Sequence, residues 1–212
     1  MKISLRAALL VLAAGFAASA IAQGQPESAA PAAPPQGGTK VFAGAGLGGG
    51  FGAKYKVNGT SVTFDDRLQG TTDKTPLVAV NVASFGIAIS PGLYAGLDLS
   101  GFGQTGRALN GDKTSLQVIN YLAALTWFPW ESGLFLRGGA GLSSFLITVG
   151  SQSDRASGLG FLVGAGYALQ LSGAHHLSLT VEQTWQSYGG SSTTKPDSSQ
   201  VGAVFLGYMW KP

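Results

Sequence analysis

The sequence predicts an all-β protein: an eight-stranded antiparallel up-and-down transmembrane β-barrel with short periplasmic turns and longer external loops. Three observations carry that expectation. Glycine supplies 33 of 212 residues while charged residues supply only 11%, against an average near 25% charged and about 7% glycine. Several segments alternate apolar with small or polar residues at period two, the pattern of a strand with two unlike faces. The connectors alternate long, polar stretches with tight turns, as in barrels that cross a bilayer.

The composition closes other routes. So many apolar residues and so few charges exclude a disordered chain. The glycine content opposes an all-helical protein, because each glycine inside a helix costs about 1 kcal/mol relative to alanine. There is no cysteine, and the two histidines stand together at His175 and His176, so neither a disulfide framework nor a cysteine or poly-histidine metal site is expected. No metal and no cofactor are expected.

Residues 1–22 read as a secretory signal peptide. Lys2 and Arg6 precede the apolar run Ala7 to Ala18, and Ala20-Ile21-Ala22 forms a small-residue cleavage site. Residues 23–40 are rich in Pro, Ala and Gly and read as a disordered tether. With Lys2 and Arg6 removed, 11 basic residues face 10 acidic ones. That near-neutral balance, with no basic stripe, argues against nucleic acid as a partner.

Residues 41–212 hold the expected barrel. No segment has the roughly 20 apolar residues of a spanning helix. Eight strands are expected at about 41–55, 76–89, 93–104, 114–128, 134–147, 158–171, 176–188 and 200–210. Ser90-Pro91-Gly92, Pro129 to Gly133 and Ser172 to His175 are the short turns. The long connectors are 56–75, 105–113, 149–157 and 189–199. An even strand number places both ends of the barrel on the periplasmic side.

Parity assigns faces. Leu93, Ala95, Leu97 and Leu99 oppose Tyr94, Gly96, Asp98 and Ser100; Leu177, Leu179 and Val181 oppose Ser178, Thr180, Glu182 and Thr184. Strands 134–143 and 159–170 alternate likewise. Val78 and Val80 share one parity and Phe85 and Ile87 the other, so a β-bulge near Ala83-Ser84 is required. Both faces of 114–128 are apolar and stay unassigned.

Gly44, Gly46, Gly48, Gly50 and Gly52 all have lumen parity, as a narrow barrel interior requires. Lys54, Asp98, Arg137 and Glu182 also have lumen parity, two charges of each sign. Buried charge demands a partner, so they are expected either as a lumen charge network or, for Lys54, as a solvated rim residue. Phe42, Trp127, Phe128, Trp130, Tyr208 and Trp210 lie near the periplasmic boundary. Trp185 and Tyr188, with Phe51 and Tyr55, lie near the external one. They are expected as two aromatic girdles.

The Gly-alternating VFAGAGLGGGFGAKY, the segment WFPWESGLFLRGGAGL and the closing VGAVFLGYMW make residues 41–212 resemble the small eight-stranded outer-membrane barrels, the OmpA/OmpX/OmpW-type β-barrel domain family. The resemblance implies a cell outer membrane location in a Gram-negative bacterium, outer-membrane lipids and lipopolysaccharide as surroundings, and a monomer. It also implies assembly machinery reading the aromatic C-terminal strand. The chain departs from the pattern in that Lys211-Pro212 follow Trp210.

A non-enzymatic structural or surface-interaction role through the external loops is the leading expectation. A narrow channel for small solutes is the alternative. A soluble periplasmic β-sandwich is a further reading. A lipid A-modifying enzyme is another, because His176-Leu177-Ser178 and Glu182 resemble a deacylase His-x-Ser pair with its Glu. The pair sits at a periplasmic turn, away from the leaflet where that chemistry belongs. Asp65-Asp66 in the first long connector reads as a solvated pair, with divalent-cation binding as the alternative.

Overall fold

A computed structural model describes residues 40–108, 110–129, 133–189 and 195–212. The signal peptide and nearly all of the tether therefore lie outside the described residues. Nine strands follow in order: β1 (Val41–Val57), β2 (Thr60–Thr63), β3 (Val78–Ser90), β4 (Leu93–Arg107), β5 (Lys113–Trp127), β6 (Leu134–Val149), β7 (Gln152–Ser172), β8 (His175–Tyr188) and β9 (Ser198–Trp210). Each pairs antiparallel with its sequence neighbour, except that β1 pairs with both β2 and β3. Pairing of β1 with β9, from Ala43↔Trp210 to Lys56↔Ser198, closes the ring. β2 is a short return on the end of β1, so eight strands form the wall.

The connections differ at the two ends. At the turn end, β3 passes to β4 through Pro91-Gly92 and β7 to β8 through Gly173-Ala174. Both glycines have positive φ, at 71° and 51°, which their lack of a side chain permits. At the loop end, residues 58–77 form the longest described connection, containing β2 and the single-turn helix α1 (Phe64–Arg67). One expectation is corrected there. Residues 149–157 are strand, not loop: β6 and β7 pair as far as Val149↔Gln152 across a two-residue turn. The extra length is sheet: β6 pairs with β5 as far as Thr114↔Val149 and with β7 to its last residue, while β8 joins β7 only from Gly158↔Tyr188.

The outer surface follows the predicted parity. Leu97, Leu142, Leu159, Leu179 and Leu206 are each more than half exposed. Strand β5 now resolves: Leu116, Val118, Asn120, Leu122, Ala124 and Thr126 point inward, and Tyr121, Leu125 and Trp127 outward. The β3 bulge lies between Asn81 and Ala83 in the pairing with β4, so Asn81 and Ser84 both face inward. A second irregularity interrupts β1 between Phe51 and Lys54, at Gly52 with φ +59°. The shift reverses the faces of β1: Ala53 and Tyr55 turn inward, and Lys54 turns outward.

The interior is packed at both ends. Phe42, Tyr94, Phe128, Phe135, Ala168 and Met209 fill the turn end. Phe42 and Phe128 each meet Tyr94 edge-on, at centroid separations of 5.3 and 5.7 Å. At the loop end Tyr55, Phe64, Phe102, Leu116, Phe145, Tyr188 and Phe205 pack together. Phe64 comes from α1, which folds over this end with Phe64 and Leu68 almost fully buried. Thr63 and Asp66 form a reciprocal capping box on that helix.

Two predictions follow from closure and from the α1 fold-back. A Cβ on Gly96 would overlap the carbonyl oxygen of Phe85 and the backbone of Gly86, whereas one on Gly101 meets nothing nearer than 3.7 Å. Gly96→Val should cost about 1–3 kcal/mol by overpacking and Gly101→Ala far less, as read from urea titrations of the refolded barrel. Separately, Asp65 ion-pairs with Lys74 at 2.5 Å and accepts from Gln104 Nε2 at 2.9 Å. The bond from Lys74 and then that from Gln104 hold its carboxyl below the ordinary aspartate range. A depressed folded pKa stabilises above the unfolded value and is lost as pH falls. Protection factors of the amides at 64–70, with the intrinsic pH dependence of exchange divided out, should therefore fall as pH drops through and below the ordinary aspartate range; pH-independent protection would contradict the role given to Asp65.

Candidate functional site

The middle of the lumen collects the charges. Asp98 stands on β4, Arg137 on β6 and Glu182 on β8, all at inward positions. Alternation alone puts each there, since Leu97, Leu136 and Val181 beside them are exposed on the outer face. The Arg137 guanidinium spans the lumen. Its Nη1 donates to Glu182 Oε1 at 2.8 Å, and its Nη2 donates to Asp98 Oδ2 and, at 3.1 Å, to Ser84 Oγ. All three side chains are at most 7% exposed.

Neutral donors complete the Asp98 side. Asn81 Nδ2 donates to Asp98 Oδ2 at 2.7 Å, and Ser84 Oγ donates to the same oxygen at 2.8 Å. Both donors come from the bulged stretch of β3. The bulge is thus what brings Asn81 and Ser84 to one oxygen, and residue-type reasoning missed them. Their inward parity around the predicted bulge was the available signal. A second polar layer lies toward the loop end: Ser143 Oγ donates to Asn120 Oδ1 at 2.8 Å, Gln186 Nε2 donates to the same oxygen at 3.3 Å, and Ser199 Oγ donates to Gln186 Oε1 at 2.6 Å.

Lys54 is not part of this network. The Gly52 irregularity turns it outward, where it is exposed. The aromatic expectation divides the same way. Trp127, Trp185 and Trp210 lie outward, 48%, 41% and 36% exposed. Tyr208 shares their outward parity and meets His175 through its hydroxyl. Phe42, Phe128 and Tyr188 are corrected: each is buried inside the barrel, because its parity is that of the lumen. Of the two further external aromatics, Phe51 is half exposed on the outer face and Tyr55 is buried inside. Trp130 lies outside the described residues.

The His176, Ser178 and Glu182 side chains all face inward on β8, but they are spoken for separately. Glu182 takes Arg137, and His176 Nδ1 sits 3.1 Å from the Ala174 carbonyl oxygen. Among the described residues no hydrogen bond links Ser178 to either, so a nucleophile–base pair is not assembled. Asp65 and Asp66 are likewise engaged, the first with Lys74 and Gln104 and the second with the Thr63 cap. No group of three or more His, Cys, Asp or Glu with metal-binding geometry occurs among the described residues.

Solved structures share this architecture. Neisserial surface protein A superposes with a TM-score of 0.50 at 15% identity, over 81% of this chain and 97% of that one. Ail, the attachment invasion locus protein of Yersinia pestis, solved with the heparin analogue sucrose octasulfate, gives 0.52 at 12% identity, over 82% and 99%. The fold is that of the small eight-stranded outer-membrane barrels. No family model matches the chain, and no curated protein matches its sequence.

Removing one partner from a buried ion network strands the others, at a cost of about 3–5 kcal/mol. Arg137→Ala should lower unfolding stability by that order. The joint replacement Asp98→Asn, Arg137→Met, Glu182→Gln should be markedly milder, because it removes the charges together. Urea unfolding in liposomes measures both. Unchanged stability in Arg137→Ala would mean that the three charges do not hold the barrel together.

Proposed function

We propose that the chain is a non-enzymatic integral outer-membrane protein whose wall is structural and whose loop end makes contacts outside the cell. The observation that carries this reading is the closed ring with opposite faces. Its outer face is a continuous apolar belt, from Trp127 and Trp210 at one end to Trp185 at the other. Trp210 pairs with His175, and Gln200, ten residues earlier, pairs with Trp185. At about 3.3 Å per residue and a tilt near 40°, that interval spans roughly 25 Å, the height of an outer-membrane apolar band. Such a belt would be costly in water, which opposes the soluble sandwich.

The lumen supports a wall rather than a conduit. Aromatic packing at the turn end, the charged layer, the Asn120 layer and the α1 cap follow one another along the axis. The cavity beside Arg137 and Glu182 has a volume of about 30 Å³, enough for a water and too small for a solute. Surface recognition then falls to the β6–β7 hairpin tip and to residues 58–77. Export through residues 1–22, folding by machinery that engages β9 and a monomeric state in lipopolysaccharide-bearing membrane complete the proposal.

Outer-membrane fractionation with heat-modifiable gel migration should place the protein in the membrane with a compact unboiled form. Planar bilayers should record no unitary current steps. A protein found in the soluble periplasmic fraction would sink the membrane reading, and reproducible steps would restore the channel.

A further inference from the structure

Regular pairing of β1 with β3 ends at Gly49↔Val78, and pairing of β1 with β2 begins only at Lys54↔Thr63. Between them Gly50 N–H donates to Leu77 O at 2.8 Å, and the chain before β3 runs along β4 instead, where Thr75 N–H donates to Thr105 O at 2.8 Å. A cleft of about 530 Å³ opens in the gap, within the range of about 300–1,000 Å³ usual for small-molecule sites. Its mouth belongs to the 58–77 connection at the loop end, where Thr63, Asp65, Lys74 and Thr75 are all exposed.

The polar lining is neutral as a whole and only partly satisfied. Asp65 and Lys74 are the two ionisable residues in it, and they pair with each other. Asp65 takes both of its bonds on Oδ1, from Lys74 and from Gln104 Nε2, so its Oδ2 has no partner among the described residues. The same bonds hold its carboxyl below the ordinary aspartate range, so at neutral pH Oδ2 only accepts. Gln104 is 5% exposed and spends Nε2 on Asp65 and, at 3.1 Å, on the Thr75 carbonyl oxygen. Its Oε1 accepts no bond among the described residues and, unlike Glu182 Oε2, is not enclosed; the opening beside it is the cleft. Lys74 gives one of its three N–H donors to Asp65 and has two over.

Carbon supplies the rest. Leu77 lies across Gly50, where a Cβ would meet its side chain at 2.4 Å. Pro76 stands beside it, and at Gly52 nothing lies within 4 Å of where a Cβ would be. The cleft thus offers two acceptors, a donor and an apolar patch, with no net charge. An anion would meet Asp65 and a cation would meet Lys74 as a like charge. A hydrocarbon would cover Asp65 Oδ2 and Gln104 Oε1 without pairing them, which is costly. A sugar ring matches all three features, because its hydroxyls donate and accept, its C–H face is apolar and it carries no charge. The two free oxygens belong to groups joined by the 2.9 Å bond from Gln104 Nε2 to Asp65 Oδ1, close enough to serve neighbouring hydroxyls.

We propose that this cleft is a carbohydrate site. It takes a neutral hexose unit whose neighbouring hydroxyls bond Asp65 Oδ2, Gln104 Oε1 and Lys74 Nζ, and whose C–H face lies against Leu77. The inference rests on the reading above, in which the loop end faces outward, and adds the class of ligand met there.

The test uses the full chain in phosphatidylcholine nanodiscs, with the backbone amides of Gly50, Gly52 and Leu77 as reporters. Maltose, lactose and cellobiose present glucose and galactose in α and β linkage. At least one of them should shift the three amides to saturation. Gln104→Ala and Asp65→Ala should each raise the concentration needed for half-saturation by about fivefold or more, the weight of one hydrogen bond. Leu77→Trp, which fills the cleft and leaves the polar cluster in place, should abolish the shifts; if that variant does not fold, the other two decide. Arg67→Gln, on α1 but outside the cleft, should change nothing. An inserted barrel whose amides ignore all three sugars overturns the site and leaves the membrane reading intact. So do shifts that survive both alanine variants, or equal shifts from inorganic phosphate or from free lysine, which would mark an ion site. A chain that fails to insert overturns both.

Discussion

Everything in this protein depends on closing eight strands into a ring. Closure gives each of the eight wall strands a partner on both sides through the middle of the barrel, so the ladder there is made within the wall. It also fixes an interior only wide enough for side chains. Large and small inward residues must then be matched layer by layer. Gly96 sits where the coiled wall leaves no space for a Cβ beside Phe85, while Phe42, Tyr94, Phe128 and Phe135 occupy one level together. The glycine excess and the inward aromatics are two sides of one packing condition.

That condition also explains the charges. With side chains packed at both ends of the lumen, a buried carboxylate between them is shielded from water, and its partner must come from another strand. Arg137 reaches across to Asp98 and Glu182 because its planar fork serves two acceptors at once. Glycine opens the space this requires. A Cβ on Gly164 would press on the Glu182 and Arg137 side chains, so the ion layer and the glycine pattern are mutually dependent.

Period-two alternation made much of this legible. The faces of β4, β6, β7 and β8 follow from parity alone, and with them the inward placement of Asp98, Arg137 and Glu182. Parity fails where a strand changes register. The β3 break announced itself, because Val80 and Phe85 are both apolar at opposite parity. The β1 break did not, because its stretch of glycines carries no facing signal, and Lys54 was assigned to the lumen on a count that Gly52 resets. The aromatics misled for a related reason. Phe42, Phe128 and Tyr188 lie at strand ends, as girdle residues do, but position along a strand says nothing of face. The β6–β7 tip was hidden because Ser, Asp and Arg on an exposed hairpin read as loop.

The two irregularities also divide the labour of the wall. The β3 bulge places Asn81 and Ser84 side by side on one carboxylate oxygen, where a regular strand would send one of them outward. The β1 irregularity works at the opposite end and toward the opposite face. It lies beyond the last β1–β3 pair, Gly49↔Val78, and turns Lys54 and Lys56 onto the outer face. A bulge costs a strand its local ladder but re-aims side chains. In a barrel whose wall is otherwise apolar on the outer face and packed on the inner one, such breaks are where a strand can re-aim a polar side chain. The β3 bulge brings two neutral donors to one buried carboxylate, and the β1 break takes two cations out of the lumen.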